Sequence, residues 1–92
     1  MVRDTLDESF FGTRFELATD SEQRYLAAMA SLGDGPYPVG AVAEAFGARD
    51  QRRVSVQREG LLQKGLIWTP RRGQVDFTVP LFDRFLRANH PR

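Results

Sequence analysis

An α+β, mainly helical fold is what this 92-residue sequence predicts, and three observations predict it. The segment Arg49–Gly73, RDQRRVSVQREGLLQKGLIWTPRRG, carries a helical apolar seam at Val54, Leu61 and Leu62, with a glycine stop at Gly65. After the Arg71-Arg72-Gly73 turn, Val75, Phe77 and Val79 alternate with Gln74, Asp76 and Thr78, the period of a half-buried strand. Upstream, Gly47-Ala48-Arg49-Asp50 has the length of the turn that joins two helices at a steep angle. Helix, strand and a basic-tipped hairpin in that order make a winged helix-turn-helix, here with a helical N-terminal arm and a C-terminal closing helix.

The elements follow in chain order. Residues 3–11 read as a helix, with Leu6 and Phe10 one turn apart and Phe11 beside them; Gly12-Thr13 interrupts the pattern, and Phe15 and Leu17 follow. Thr19-Asp20-Ser21-Glu22 is a capping box, in which the Thr19 hydroxyl accepts from the Glu22 N–H and the Glu22 carboxylate reaches back. The helix it opens carries an apolar stripe of Tyr25, Leu26, Met29 and Leu32 and ends at Gly33-Asp34-Gly35-Pro36. Tyr37-Pro38-Val39 is a short first strand. A second helix of the motif runs from Gly40 to Phe46, with Val42, Ala43 and Phe46 inward and Gly47 as its C-cap.

Asp50 is the expected N-cap of the third helix, which takes the place of the recognition helix in that motif. In the hairpin, Leu66 and Trp68 are the inward partners of the alternating strand, and Pro70-Arg71-Arg72-Gly73 suits a type I turn followed by a left-handed glycine. Pro80 opens a last helix with Leu81, Phe82, Phe85 and Leu86 on one side. Residues 1–18 form the arm and residues 19–92 the winged domain.

Composition bounds the function. The chain is one small domain near the lower limit for a self-sufficient core, and 41% hydrophobic residues with seven Phe allow that core to form. No apolar run approaches the roughly 20 residues of a membrane span, and the acidic N-terminus is not a signal peptide. No cysteine is present, which removes disulfide and thiolate-metal chemistry. A cytoplasmic location and no membrane partner are the expectation.

A net charge of +1 conceals a strong polarity. Residues 1–48 hold three Arg against eight acids, a balance of −5; residues 49–73 hold six Arg and Lys64 against Asp50 and Glu59, a balance of +5; residues 74–92 hold three Arg against two Asp, a balance of +1. A basic block on a helix and hairpin is the electrostatic footprint of a polyanion partner. On a helical wheel the side opposite Val54 and Leu61 presents Arg52, Arg53, Val56, Glu59 and Gln63, while Arg58 falls near the buried seam.

Those positions define the expected contacts with double-stranded DNA. Arg49, Arg52 and Arg53 sit at the start of the recognition helix, where the free N–H groups and positive dipole end also favour phosphate. Ser55 and Gln57 on its flanks are placed to read base edges. Arg71 and Arg72 at the hairpin tip are placed for phosphate or a minor groove. Glu59 and Val56 on the same face count against simple phosphate binding. They favour the alternative, a winged helix that contacts protein or regulates an ATPase without binding DNA. The dense aromatics Phe10, Phe11 and Phe15 are the candidates for such a contact, including a homodimer, although for most of them packing on the domain's own core is the favoured reading.

The string Leu6-Asp7-x-x-Phe10-Phe11-x-x-Arg14-Phe15, then Leu17-x-Thr19-x-x-Glu22-x-x-Tyr25-Leu26-x-Ala28-Met29-Ala30, resembles the C-terminal region of bacterial and archaeal AAA-type ATP-binding proteins. Lys64-Gly65-Leu66-Ile67 and Asp76-Phe77-Thr78-Val79-Pro80-Leu81-Phe82-Asp83-x-Phe85-Leu86 extend the likeness over nearly the whole chain, and the last segment is its most specific part. In that group a P-loop ATPase and its helical lid precede a winged helix similar to those of replication-initiator ATPases. The resemblance implies a DNA-directed module whose partner is the ATPase domain of its parent protein.

The chain departs from that pattern in three places. Val39 stands where a hydroxyl-bearing N-cap is expected, Gly60 falls inside the third helix at a cost of about 1 kcal/mol relative to alanine, and no GxxxxGK[ST] is present. A separated domain is therefore the expectation, with no cofactor of its own. No enzymatic activity is expected either: His90, the only histidine, lies two residues from the end, where a fraying tail positions no catalytic partner.

Overall fold

A computed structural model describes residues 2–48 and 54–90, with side chains from Ser9 onward. The chain begins with α1 (Val2–Glu16) and α2 (Asp20–Ser31), followed by β1 (Tyr37–Pro38), α3 (Val39–Phe46) and α4 (Ser55–Gln63). The hairpin strands are β2 (Ile67–Trp68) and β3 (Gln74–Phe77), and α5 (Phe82–Asn89) closes the chain. The three strands form one antiparallel sheet in the order β1-β3-β2. The α2–β1–α3–α4–β2–β3 order is that of a winged helix, extended by α1 in front and α5 behind.

Helix α2 is the hub. Its Tyr25, Leu26, Ala28, Met29 and Ala30 are buried, and α3, α4 and α5 all pack on it. Its N-terminus carries the expected capping box: the Glu22 N–H donates to the Thr19 hydroxyl (3.2 Å) and the Thr19 N–H to Glu22 Oε1 (2.9 Å). Its C-terminal carbonyls are satisfied from α5, where Arg87 donates to the Ala30 carbonyl (2.8 Å) and the Gly33 carbonyl (3.1 Å) while holding Asp83 (2.8 Å). A cation at that end also complements the helix dipole.

Glu22 does more than cap. Its Oε1 is the acceptor of the Lys64 ammonium just beyond α4, so one buried carboxylate ties the first turn of α2 to the last turn of α4. Gly60 explains how the two helices come close enough. A Cβ there would overlap Glu22 Oε2 and lie 3.2 Å from its Cδ. The helical glycine that local propensity disfavours is therefore required by the packing.

Several expectations change. Helix α1 runs unbroken through Gly12 and Thr13, whose hydroxyl bonds back to the Ser9 carbonyl (2.7 Å); Phe11 and Phe15, packed on either side of the glycine, outweigh its local cost. Leu32 is exposed because α2 ends at Ser31 and the stripe ends with it. Val39 begins α3 instead of extending the strand, and its N–H donates to the Gly73 carbonyl (2.9 Å) of the hairpin, so no hydroxyl cap is needed. Gly47 is the left-handed C-cap expected, at φ 98°. The Asp50 N-cap lies outside the described residues, and α4 is described from Ser55.

The hairpin register differs by one residue from the reading above. Ile67 pairs with Phe77 and faces the core, so Trp68, opposite Asp76, points outward. Leu66 is buried too, but it lies in the bend after left-handed Gly65, and alternation cannot be counted back through a bend. At the tip, the Gln74 N–H donates to the Arg71 carbonyl (3.0 Å) and Gly73 takes φ 78°, so the turn closes one residue later than Pro70–Gly73. Leu81 leaves the expected apolar face of the last helix. It is an exposed N-cap at φ 70°, one residue before α5 begins, and Phe82 and Leu86 bury instead.

Burial by itself raises the Glu22 carboxyl pKa, but the Lys64 ammonium and the Thr19 N–H and hydroxyl together hold it below its ordinary value. A depressed folded pKa gives stability that is complete above the unfolded value and is lost as pH falls through the folded one. Lys64→Ala is expected to flatten this acid limb and to destabilise by about 1–2 kcal/mol, because the ammonium is partly exposed. Gly60→Ala is expected to destabilise by about 1–3 kcal/mol, reversing the usual helical preference for alanine. Urea unfolding from pH 3 to 7 measures both.

Candidate nucleic-acid interface

Helix α4 divides by exposure. Val54, just before it, and Leu61 are completely buried, whereas Val56 is 77% exposed and Glu59 and Gln63 lie in solvent on the opposite side. Spacings of three and four put Val56, Glu59 and Gln63 on one stripe. The helix is fixed beneath by Lys64 and by its exit, where the Gly65 carbonyl accepts from the Thr78 hydroxyl (2.7 Å) and the Thr78 N–H donates to the Leu66 carbonyl (3.2 Å). Those bonds set the hairpin beside α4.

Between helix and hairpin runs an open groove of about 370 Å³, lined by Arg58, Glu59 and Leu62 from α4 and by Thr69, Arg72 and Gln74 from the hairpin. Arg72, which lines it, and its chain neighbour Arg71 are both exposed. Arg58 is half-buried, with one guanidinium nitrogen inside the protein and forming no hydrogen bond. It lies against the buried Tyr25 hydroxyl: burial raises that hydroxyl's pKa, and the adjacent guanidinium offsets part of the rise. The Oε1 atoms of Gln57 and Gln74 are likewise buried without a protein partner.

The predicted contact residues are thus distributed unevenly. Arg49, Arg52 and Arg53 lie outside the described residues. Ser55 and Gln57 sit half-buried on the flanks of α4, and Arg71 and Arg72 stand free at the hairpin tip. Arg58, Thr69 and Gln74 line the groove although sequence reasoning did not select them. Gln74 was legible as the outward position of its strand, and Arg58 is half-buried at the edge of the seam, near which the sequence places it.

The aromatic candidates divide as well. Phe11 is buried, stacked on Phe82 (centroids 5.7 Å apart) and tilted against Phe85 (5.3 Å). Phe15 is buried and stacks on His90 (4.0 Å). Only Phe10 remains 42% exposed, with the Arg14 guanidinium over its ring at 3.7 Å. Two of the three therefore build this domain's own core, and Gln23 fastens the same arm by donating to the Phe15 (3.1 Å) and Ala18 (3.2 Å) carbonyls.

A second cleft, of about 220 Å³, carries the opposite charge, with Asp34, Asp76 and Asp83 around Tyr37. Its acids are engaged internally: Asp83 holds Arg87, and Asp76 accepts from the Phe77 N–H (2.8 Å). Burial first, then Asp83 and Asp76, push the Tyr37 hydroxyl pKa far up, and that hydroxyl donates to the Gly33 carbonyl (2.7 Å). Among the described residues no His, Cys, Asp or Glu group is arranged to hold a metal ion, and no helix is long and apolar enough to cross a membrane.

The chain belongs to the family described as Domain of unknown function (DUF8462), whose model matches residues 8–86. No curated protein and no solved structure matches it. Within the matched span, Phe11→Ser is expected to destabilise by about 3 kcal/mol or more. Phe10→Ser is expected to change stability by less than about 1 kcal/mol. Urea unfolding of the two variants tests this division of the arm into core and surface.

Proposed function

We propose that this family member is a winged-helix module that binds double-stranded DNA. The observation that carries the reading is the shared groove: Arg58 and Glu59 of α4 and Arg72 of the hairpin tip border the same open channel, and all three belong to the segment that holds a charge balance of +5. In this reading α4 lies in a major groove, where a helix fits the width, and Arg71 and Arg72 reach the neighbouring backbone or minor groove. Arg58 and Arg72 hold the field in the channel positive despite Glu59. Ser55 and Gln57 on the flanks of α4 join them, and Arg49, Arg52 and Arg53 supply further phosphate contacts.

The resemblance to AAA-type ATP-binding proteins extends the proposal to a setting, a cytoplasmic C-terminal domain that directs an ATPase to DNA. The exposed Val56, Trp68 and Phe10 support the second reading, a protein-contacting or ATPase-regulating winged helix without DNA, because solvent-facing apolar groups of that size favour a covering partner.

Titration of a labelled duplex at several salt concentrations separates the two. Neutralising four phosphates gives a fall of log K with log salt at a slope of roughly −3.6. Arg71→Glu with Arg72→Glu is expected to lower affinity about tenfold or more and to make the slope shallower, while leaving the unfolding midpoint nearly unchanged at these exposed sites. A folded protein that binds no duplex at low salt sinks the DNA reading in favour of the protein-contact one.

A further inference from the structure

Two residues on the exposed stripe of α4 are poor phosphate ligands, and their chemistry points to a different role. Resting on the DNA-binding reading above, we infer that Val56 and Glu59 are its specificity determinants, selecting a thymine through its methyl group and a cytosine through its amino group at adjacent base pairs.

Val56 is the most exposed large apolar side chain among the described residues, at 77%. A valine in open water gains from any apolar surface that covers it, and the only apolar group on a major-groove edge is the thymine C5-methyl. Glu59 lies three residues on, about 4.5 Å along the helix axis and on the same side. That rise is close to the step of about 3.4 Å between base pairs, so the two side chains address neighbouring pairs.

Glu59 is exposed, and among the described residues it forms no ion pair, so its carboxylate is not already committed. An ionised carboxylate only accepts hydrogen bonds. In the major groove guanine offers two acceptors and thymine one, all of which repel it. Adenine pairs its amino donor with the adjacent N7 acceptor, which offsets the attraction. Cytosine offers its N4 amino group without an adjoining acceptor. The order of preference at Glu59 is therefore cytosine, then adenine, with guanine and thymine rejected. Arg58 and Arg72, which line the same channel, supply the positive field that lets a carboxylate approach a polyanion at all.

Selection from a random duplex library, followed by titration of the selected duplex and its single-base derivatives, tests this with the 92-residue chain. The wild type is expected to select a cytosine whose neighbouring base pair carries a thymine on either strand, and to lose about tenfold or more when that C·G pair is inverted to G·C. Glu59→Gln is expected to move the preference from cytosine to adenine, which a side-chain amide contacts through N6 and N7 together. Replacing the thymine by uracil removes one methyl group and is expected to weaken the wild type about fourfold, with little effect on Val56→Ala.

Both positions are exposed, so unchanged thermal midpoints certify the variants as folded. Duplex binding with no base preference, or a cytosine preference that survives Glu59→Gln, overturns this inference and leaves the DNA-binding reading standing. No binding to any duplex at low salt overturns both.

Discussion

The buried carboxylate of Glu22 is the constraint on which the arrangement of helices depends. A carboxylate inside so small a domain needs several partners at once, because removal from water costs more than a single ion pair returns. Here the partners come from separate parts of the chain: the Thr19 N–H and hydroxyl from the turn before α2, and the Lys64 ammonium from the end of α4. Gly60 contributes by absence, leaving room for the carboxylate where any side chain would collide. Satisfying Glu22 therefore fixes the distance and rotation of α4 against α2. That rotation decides which residues of α4 meet solvent: once Gly60 faces Glu22 and Leu61 is buried, Val56 and Glu59 have no route inward.

The opposite end of α2 is held by an equivalent device of opposite charge. Arg87, itself oriented by Asp83, reaches from α5 to the Ala30 and Gly33 carbonyls. The central helix thus has an acid at its N-terminus and a cation at its C-terminus, each supplied or completed by another element and each favourable to the helix dipole. α5 is in turn held by the arm, because Phe11 fills the space beside Phe82 and Phe85 and Phe15 covers His90. Arm, hub and closing helix form one body with a single continuous core. The hairpin shares that core through the buried Ile67 and Val75, and the Val39 N–H ties it to α3 at the Gly73 carbonyl.

Much of this was legible in the residues, and the exceptions have physical causes. The capping box at Thr19 and Glu22, the left-handed glycines at Gly47 and Gly73, and the buried Tyr25, Leu26, Met29, Val54 and Leu61 follow from local chemistry and periodicity alone. Trp68 and Leu81 were misplaced because each sits next to a residue with positive φ or a bend, where counting by two or by three and four loses its phase. Gly12 was read as a break because its local cost is visible in sequence, whereas the packing of Phe11 and Phe15 that outweighs it is not. Gly60 is the clearest case. From sequence it was only a defect in a helix, and its partner Glu22 lies too far away in the chain for any local pattern to connect them. The same limit hid the groove: Arg58, Thr69, Arg72 and Gln74 come together only after α4 and the hairpin are set side by side.

Charge is sorted along this surface in a way that net charge conceals. The exposed hairpin tip carries arginines without acids, the central stripe of α4 carries an acid and an apolar group, and the channel between them is lined by one cation from each side. A surface built only to hold phosphate would gain from replacing Glu59 with any neutral residue, since its repulsion weakens every backbone contact nearby. On the proposal that this face binds DNA, an acid at the centre of the stripe, with Arg58 and Arg72 lining the channel beside it, would lower general affinity and add a penalty against edges that present only acceptors. Discrimination of that kind comes from repulsion as much as attraction. In the proposed DNA-binding reading, the feature that weighs most against simple phosphate binding is thus the one that would distinguish a reader of sequence from a general polyanion binder.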